Sequence, residues 1–273
     1  MKVLFLGEIT GRCGIGVIKN GLKKYRTERK VDFVIANGEG ATGGFGLGFQ
    51  HAQTLFHMGV DVLTLGEKTF FKIDMVEGIA KKDRILRPAN YPESVPGRGI
   101  RHFSVGDKRV CVVNMLGMMG FQNPHLNNPF LVSESIVEKA HGDTPFVFYV
   151  FHAQATAEKC AMGRLLDGKA SAVVGTHTKA LTADGCILHG GTAYISDTGR
   201  CGAVCGSVGG FDPENEIKKM RTQVLFRSKE SWTAPQMQGF LCEFDNDTGF
   251  ALSVETVRID VAVEPLAVKE EVS

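Results

Sequence analysis

The sequence carries almost no net charge. Lys and Arg number 31 against 30 Asp and Glu, leaving +1 at pH 7. No global field therefore draws nucleic acid or a membrane surface, and any such contact has to be local. Duplex nucleic acid and membrane are not expected partners. No apolar run approaches the length of a membrane span. The opening Met1-Lys2-Val3-Leu4-Phe5-Leu6 turns polar at Glu8, too soon for the apolar region of a signal peptide. Cysteine is sparse: Cys13, Cys111, Cys160, Cys186, Cys201, Cys205 and Cys242 are odd in number and scattered. That excludes a disulfide framework and points to a reducing cytoplasm. No internal repeat is visible.

What the chain does have is apolar mass and glycine. Its 273 residues are 43% hydrophobic and 22% charged, enough to fill one large α/β domain. The 33 glycines cluster beside polar residues, as in loops whose backbone approaches something closely.

Short apolar runs alternate with longer amphipathic stretches through the first two thirds of the chain. Strands are predicted at Val3–Leu6, Phe33–Ala36, Val60–Leu65, Val110–Met115, Phe146–Phe151 and Ala172–Val174, with Ile100–Val105 as hairpin partner across Gly106-Asp107. Helices are predicted at Ile15–Arg29, Gln50–His57, Phe71–Ala80, Ser133–Ala140 and Ala155–Leu166. Thr192–Ser196, Val224–Arg227, Gly239–Phe244 and Phe250–Arg258 read as strands, with a hairpin turn around Asn246-Asp247 and Gly249. Alternating β and α followed by mostly β implies helices outside and sheets inside. A single domain is expected over residues 1–262, with 263–273 a polar flexible tail.

Five of the buried strands stop at a side chain that can ligate a metal: Glu8, Glu39, Glu67, His152 and His177. Ligands of open α/β sheets bind in the crevice outside the carboxyl ends of the strands. Three carboxylates and two imidazoles delivered there converge on one pocket, and the crowded carboxylates need a cation, shared protons or a lysine. His51, His57, His102, His125, His141 and His189 lack this placement and read as surface or packing histidines.

The segments G-E-I-T-G at Gly7, A-N-G-E at Ala36–Glu39, T-L-G at Thr64–Gly66 and R-P-A-N-Y-P at Arg87–Pro92 carry a family resemblance. So do F-H-A-x-A-T at Phe151–Thr156, L-D-G-x-x-S-A-V-V-G-T-H-T at Leu166–Thr178 and G-G-T-A-Y-I at Gly190–Ile195. In this order, from residue 1 to about 220, they resemble the YmdB-type bacterial metallophosphoesterases of the calcineurin-like superfamily. The resemblance implies a four-layer α/β/β/α sandwich and phosphodiester hydrolysis, on cyclic nucleotides and similar phosphoesters, at a two-metal centre.

Mapped onto this sequence, the resemblance places Glu8, Glu39, Gly40 and Lys179 at the family's first metal, where the pattern has Asp, Glu, Asn and His. It places Glu39, Glu67, His152 and His177 at the second, with Glu67 for an Asn. Lys68 stands for the catalytic His. At most one divalent transition metal, Mn, Fe or Zn, is expected, or none, with an ammonium neutralising Glu8, Glu39 and Glu67 in its stead. Asp197 is expected to orient a histidine from behind the site. Gly43, Gly44 and Phe45 of the glycine-rich loop, and Asn90, are candidates to face phosphate or substrate.

Three functions follow from this pattern. The first is a ligand- or partner-binding protein on the phosphoesterase fold with weak or lost hydrolysis. The second is an active phosphodiesterase or phosphatase with a rebuilt centre. The third is a different chemistry using Lys68 or Lys179 as nucleophile or base. The expected small-molecule partner is a phosphoester or nucleotide, and a homo-oligomer is compatible with the sequence. Cys13, Cys201 and Cys205 read as ordinary reduced thiols, with a thiol or metal cluster near the same crevice as the alternative.

Overall fold

The computed structural model describes residues 1–121, 126–224 and 226–265. His125, Leu225 of the expected strand at Val224–Arg227, and the part of the expected tail from residue 266 lie outside the described residues.

Strand β1 (Lys2–Leu6) leads through the short β2 (Glu8–Ile9) into α1 (Gly11–Val17), which runs on through a π-helical turn at Ile18–Leu22 into α2 (Lys23–Arg29). Then come β3 (Phe33–Asn37), α3 (Phe49–His57), β4 (Val62–Thr64), α4 (Ile73–Gly78) and β5 (Ile85–Leu86). Next are the hairpin β6 (Ile100–Val105) and β7 (Lys108–Leu116), α5 (Pro129–His141), β8 (Phe146–His152), α6 (Thr156–Leu165) and β9 (Ala172–Thr176). The last third adds β10 (Cys186–Ile187), β11 (Ala193–Ile195), β12 (Arg200–Ala203), α7 (Pro213–Thr222), β13 (Pro235–Phe244) and β14 (Ala251–Asp260).

These strands form two sheets. One runs β2-β12-β13-β1-β3-β4-β5 with β14 on β13, and the other runs β10-β11-β9-β8-β7-β6. Strand periodicity explains the layering, because alternate side chains point to opposite faces. In β1, Val3 and Phe5 join a core shared with Phe148 and Val150 of the other sheet, while Leu4 and Leu6 meet Val17 and Leu22 of the first helical layer. In β8, Phe146, Phe148 and Val150 face the opposing sheet, while Val147, Tyr149 and Phe151 pack on Val137 and Met162 of α5 and α6. Three apolar cores between four layers make the α/β/β/α sandwich.

Most boundaries fall within a few residues of those read from sequence. Helix α5 starts four residues before Ser133, because Pro129 follows Asn128, whose Oδ1 accepts from Phe130 N at 2.9 Å. The first helix likewise begins at Gly11 rather than Ile15. Val224–Arg227 is not a strand at its described residues: α7 ends at Gln223 in a left-handed cap, and 224, 226 and 227 pair with no strand. Its apolar residues suggested β, but a strand needs a neighbour and none lies there among the described residues. At the C-terminus, Val263 packs against the helical core and Asn20 Nδ2 donates to Ala262 O at 2.8 Å, so packing extends past residue 262.

Candidate functional site

β1, β3 and β4 run parallel in one sheet, and β8 and β9 run parallel in the other. Their carboxyl ends deliver Glu8, Glu39, Glu67, His152 and His177 to one place. His152, fully buried, is its hub. Its Nε2 lies 2.7 Å from Glu39 Oε2, 2.9 Å from Glu67 Oε2 and 3.1 Å from His177 Nδ1. Behind the ring, Nδ1 meets Thr176 Oγ1 at 2.9 Å and Asn37 Nδ2 at 3.1 Å. Asn37 also turns the chain, its Oδ1 accepting from Glu39 N at 3.0 Å. Phe121 stacks on His152 and meets the His177 ring edge-on at 5.1 Å.

Glycine is required at position 66 by close approach. A Cβ there would sit 2.2 Å from His152 Cδ2 and 2.4 Å from Glu39 Oε2. The Gly66 and Lys68 amides both donate to Glu39 Oε1. The loop after β9 is strained: His177 and Lys179 have φ of 108° and 61°, conformations that L-residues adopt only where their surroundings hold them. Thr178 N donates to Asp197 Oδ2 at 2.9 Å and Arg200 Nη1 donates to Lys179 O at 2.6 Å, fixing that loop.

The electrostatics follow from the crowding. Burial disfavours the Glu67 carboxylate, yet hydrogen bonds from His152 and His177 and the charges of His152 and Lys68 hold its pKa well below the usual carboxylate range. Burial likewise disfavours the His152 imidazolium, but Glu39 and Glu67 outweigh it and push the pKa up to about 10. Lys68 loses hydration too, and Glu8, Glu39 and Glu67 more than restore its charge, raising its pKa. Its Nζ lies 3.4 Å from Glu67 Oε1.

The second lysine pairs with Glu8. Lys179 Nζ is 3.0 Å from Glu8 Oε1, a carboxylate only 1% exposed. Gly40 makes that arrangement possible, because a Cβ on it would stand 2.3 Å from the same oxygen.

A group able to hold a metal ion lies among the same residues. Glu67, His152 and His177 offer ligand atoms that all lie within 4.8 Å of one another. Glu39 Oε2 and Glu8 Oε1 are both buried without a partner in hydrogen-bond alignment, each beside a basic group, His152 and Lys179. Two imidazoles with carboxylates suit Zn, Mn or Fe rather than Ca or Mg.

Other expected residues are placed differently. Asp197 accepts from Lys159 Nζ at 2.8 Å, from Thr178 N and from Gly199 N, and from no histidine among the described residues. The acidic residue thus orients a loop and neutralises a buried lysine. Asn90 is also buried: its Nδ2 donates to Leu116 O at 2.8 Å and Asn127 O at 3.1 Å, and its Oδ1 accepts from Leu116 N. With its amide committed to backbone, Asn90 ties the end of β7 to the segment at Asn127. Cys13 and Cys201 are buried free thiols, whereas Cys205 is exposed, and the three do not assemble as a metal group among the described residues. His51 and His57 bond to Thr42 Oγ1 and Gln53 O, as packing or surface histidines do.

Gly44 and Phe45 line a cavity of about 230 Å³ with Lys68, Lys179 and Phe211. Gly43 belongs to the same loop, with φ of 63°. Sequence reasoning missed Phe121, Lys159, Arg200 and Phe211. None of the four lies at the carboxyl end of an apolar run, so the pattern that located the other site residues did not reach them.

No helix among the described residues is long and apolar enough to cross a membrane. The chain is 37% identical over 260 residues to the 2′,3′-cyclic-nucleotide 2′-phosphodiesterase of Bacillus subtilis strain 168, covering 95% of this chain and 97% of that one. A phosphatase of Mycoplasma pneumoniae superposes with a TM-score of 0.90 at 31% identity, covering 96% and 94% of the two chains. A hypothetical protein of Thermus thermophilus superposes with a TM-score of 0.88 at 29% identity, covering 96% and 100%. The family model described as YmdB-like protein matches residues 4–257. With that match spanning both sheets and the converging site, the chain belongs to the YmdB-like protein family, on a metallophosphoesterase-type fold.

Proposed function

We propose that this chain binds small phosphoesters, nucleotides among them, at a centre for one divalent cation, and that its hydrolysis is weak beside that of the two-metal centre the family resemblance implies. The observation carrying this reading is the Lys179 ammonium 3.0 Å from Glu8, beside a Gly40 with no room for a ligand side chain. The charge a second cation would bring is supplied by a lysine.

Glu39, Glu67, His152 and His177 would hold the cation. When bound, such an ion supplies Lewis-acid polarisation of a phosphoryl oxygen. Lys68 and Lys179 border the adjoining cavity as fixed positive charges for the other phosphoryl oxygens. Lys68 occupies the place where the family resemblance calls for an acidic histidine, but three carboxylates raise its pKa. A proton held that tightly is poorly donated to a leaving group at neutral pH. The same charge leaves Lys68 without a free lone pair, which argues against a nucleophile or base there. Thr176 and Asn37 hold His152 in place, and Asp197 and Arg200 hold the loop of His177 and Lys179.

A second reading, an active phosphodiesterase with a rebuilt centre, is favoured by the complete Glu67–His152–His177 group and by the activity of the Bacillus subtilis relative. One pair of measurements separates the two. Elemental analysis of protein purified without chelator should return no more than one transition metal per chain. Hydrolysis of a model phosphodiester in Mn²⁺ should be slow, and should rise strongly in the variant combining Glu8→Asp, Gly40→Asn, Glu67→Asn, Lys68→His and Lys179→His. Two equivalents of tightly held metal, or a parent as fast as that variant, overturns the proposal in favour of the second reading.

A further inference from the structure

Among the described residues, α7 is the α-helix that buries none of its side chains. Each of the others places at least one in a core. Yet α7 carries Ile217, 45% exposed, and Met220, 72% exposed, and Val224 just past its cap is 51% exposed. At about 3.6 residues per turn, Pro213, Ile217 and Met220 fall on one face. A helix of ten residues is marginal on its own in water, and packing of an apolar face is what ordinarily holds it. Another side of α7 is committed to its own chain. There Glu216 Oε1 accepts from Lys219 Nζ at 2.8 Å and from Ser228 Oγ, at the cavity of Lys68 and Lys179. The apolar face is left to meet something outside the chain.

The charges on α7 say what that is. Glu214 and Glu216 stand in its first turn, and Lys219 and Arg221 in its last. The ion pair within the helix, Lys219 with Glu216, leaves out Glu214 and Arg221, which are both exposed. Those two lie seven positions apart, close to two full turns, and so flank the apolar face along the same edge. Consider a second copy of the helix laid antiparallel over this face, about a two-fold axis level with Ile217 and Lys218. The axis brings Glu214 of each copy to Arg221 of the other, and both ion pairs form on the same edge. Apolar side chains meet apolar side chains, and the two helix dipoles run head to tail. A parallel pair would set like charges at one level. A partner of uniform charge would suit only half of the helix.

We infer that α7 is a self-association surface: two copies of this chain pair through Ile217 and Met220 of antiparallel α7 helices, with Glu214 of each copy on Arg221 of the other. One helix pair covers an area at the low end of specific interfaces, so the dimer belongs to the weak, concentration-dependent class. Glu216 and Lys219 of the same helix line the cavity of Lys68 and Lys179, so pairing braces one wall of that cavity in each copy. The surface itself stands apart from the phosphoester reading, because none of its residues is a metal ligand or a lysine of the site.

Sedimentation velocity of the intact chain over a concentration series tests the pairing. The parent should pass from monomer to dimer as concentration rises, and Met220→Asp should stay monomeric over the same range. Glu214→Arg and Arg221→Glu should each weaken association by roughly 2- to 30-fold, the loss expected for two exposed ion pairs. Mixed in equal amounts, these two variants should recover it, because every Arg then faces a Glu across the axis. The double variant carrying both changes should recover it alone. All three positions are exposed, so melting temperatures at low concentration should match the parent and separate lost pairing from lost folding. A parent that is monomeric at every concentration overturns the inference and leaves the face to a different occupant. A dimer that survives Met220→Asp, or charge variants that do not recover on mixing, overturns it too.

Discussion

Replacing Gly40 with alanine should damage this protein in a way that one specific second change repairs. Gly40 does not sit in a left-handed conformation, so alanine is not excluded by the backbone. Its Cβ is excluded by space: the ideal position lies 2.3 Å from Glu8 Oε1, 3.0 Å from Ile9 O and 3.2 Å from Glu8 Cδ. Of these, only the Glu8 carboxylate can move. It is 1% exposed, and its partner Lys179 Nζ is 3.0 Å away on a side chain 16% exposed. Moving it either strains the packing, at about 1–3 kcal/mol, or takes a buried carboxylate off its lysine, at about 3–5 kcal/mol where burial is complete. Lys179 retains some water, which favours the lower part of that span, and about 3 kcal/mol is a fair central value. At ~2–4 °C per kcal/mol, the melting temperature should fall by roughly 6–12 °C. Glu8→Asp shortens the side chain and withdraws the carboxylate from the new methyl. In the double variant the cost of Gly40→Ala should therefore shrink, with a coupling of about 0.5–3 kcal/mol across the cycle. Thermal and urea melts of the wild type, both single variants and the double variant read this directly. Additive losses, or a Gly40→Ala protein as stable as the parent, would show that residues 8 and 40 do not share one space.

The Lys159–Asp197 pair is buried on both sides, so Lys159→Met should cost on the order of 3–5 kcal/mol by stranding the carboxylate, and adding Asp197→Asn should recover part of that loss in urea melts. The thiols divide by burial: Cys160, Cys186 and Cys205 are exposed while Cys13, Cys111, Cys201 and Cys242 are buried, so a disulfide reagent at pH 8 should titrate three quickly and the other four only in denaturant. Burial pushes Cys13 up to about 11 and Cys111 and Cys201 up to about 12. The folded state thus keeps protons that the unfolded chain releases near pH 9. The stability this adds is complete below pH 9 and is lost as pH climbs through 9 to 12. Alkaline urea melts of Cys111→Ala should show a shallower decline than the parent, and an identical decline would remove that thiol from the account.

The ends of the buried strands carried most of the site into the sequence. Phe146–His152 and Ala172–Thr176 are buried at every position, and a long apolar run that stops on a histidine or glutamate leaves that side chain at a sheet edge. A strand repeats every two residues and can be read locally. In the structure the same period sends Val3 and Phe5 to one core and Leu4 and Leu6 to another, whereas the layered sandwich was legible from the order of β and α segments and from the family resemblance. Local patterning was weaker at boundaries, as at α5, where the Asn128-Pro129 start lay outside the apolar period, and at Val224–Arg227, where an apolar run had no neighbouring strand to join.

What only the tertiary structure decided are the contacts between residues far apart in the chain. That Asp197 serves Lys159 rather than a histidine depends on where α6 crosses the loop after β11. Asn90 faces backbone at Leu116, the last residue of β7, and at Asn127, because the fold brings both to it. Phe211 lies over Gly44 although more than half of the chain separates them. In each case the side chain had several chemically reasonable partners. The choice among them was made by which one burial brought within about 3–4 Å, because hydrogen bonds and dispersion contacts act only over that range. Sequence period determines which face a residue points to, and packing of one layer on another determines what it meets there.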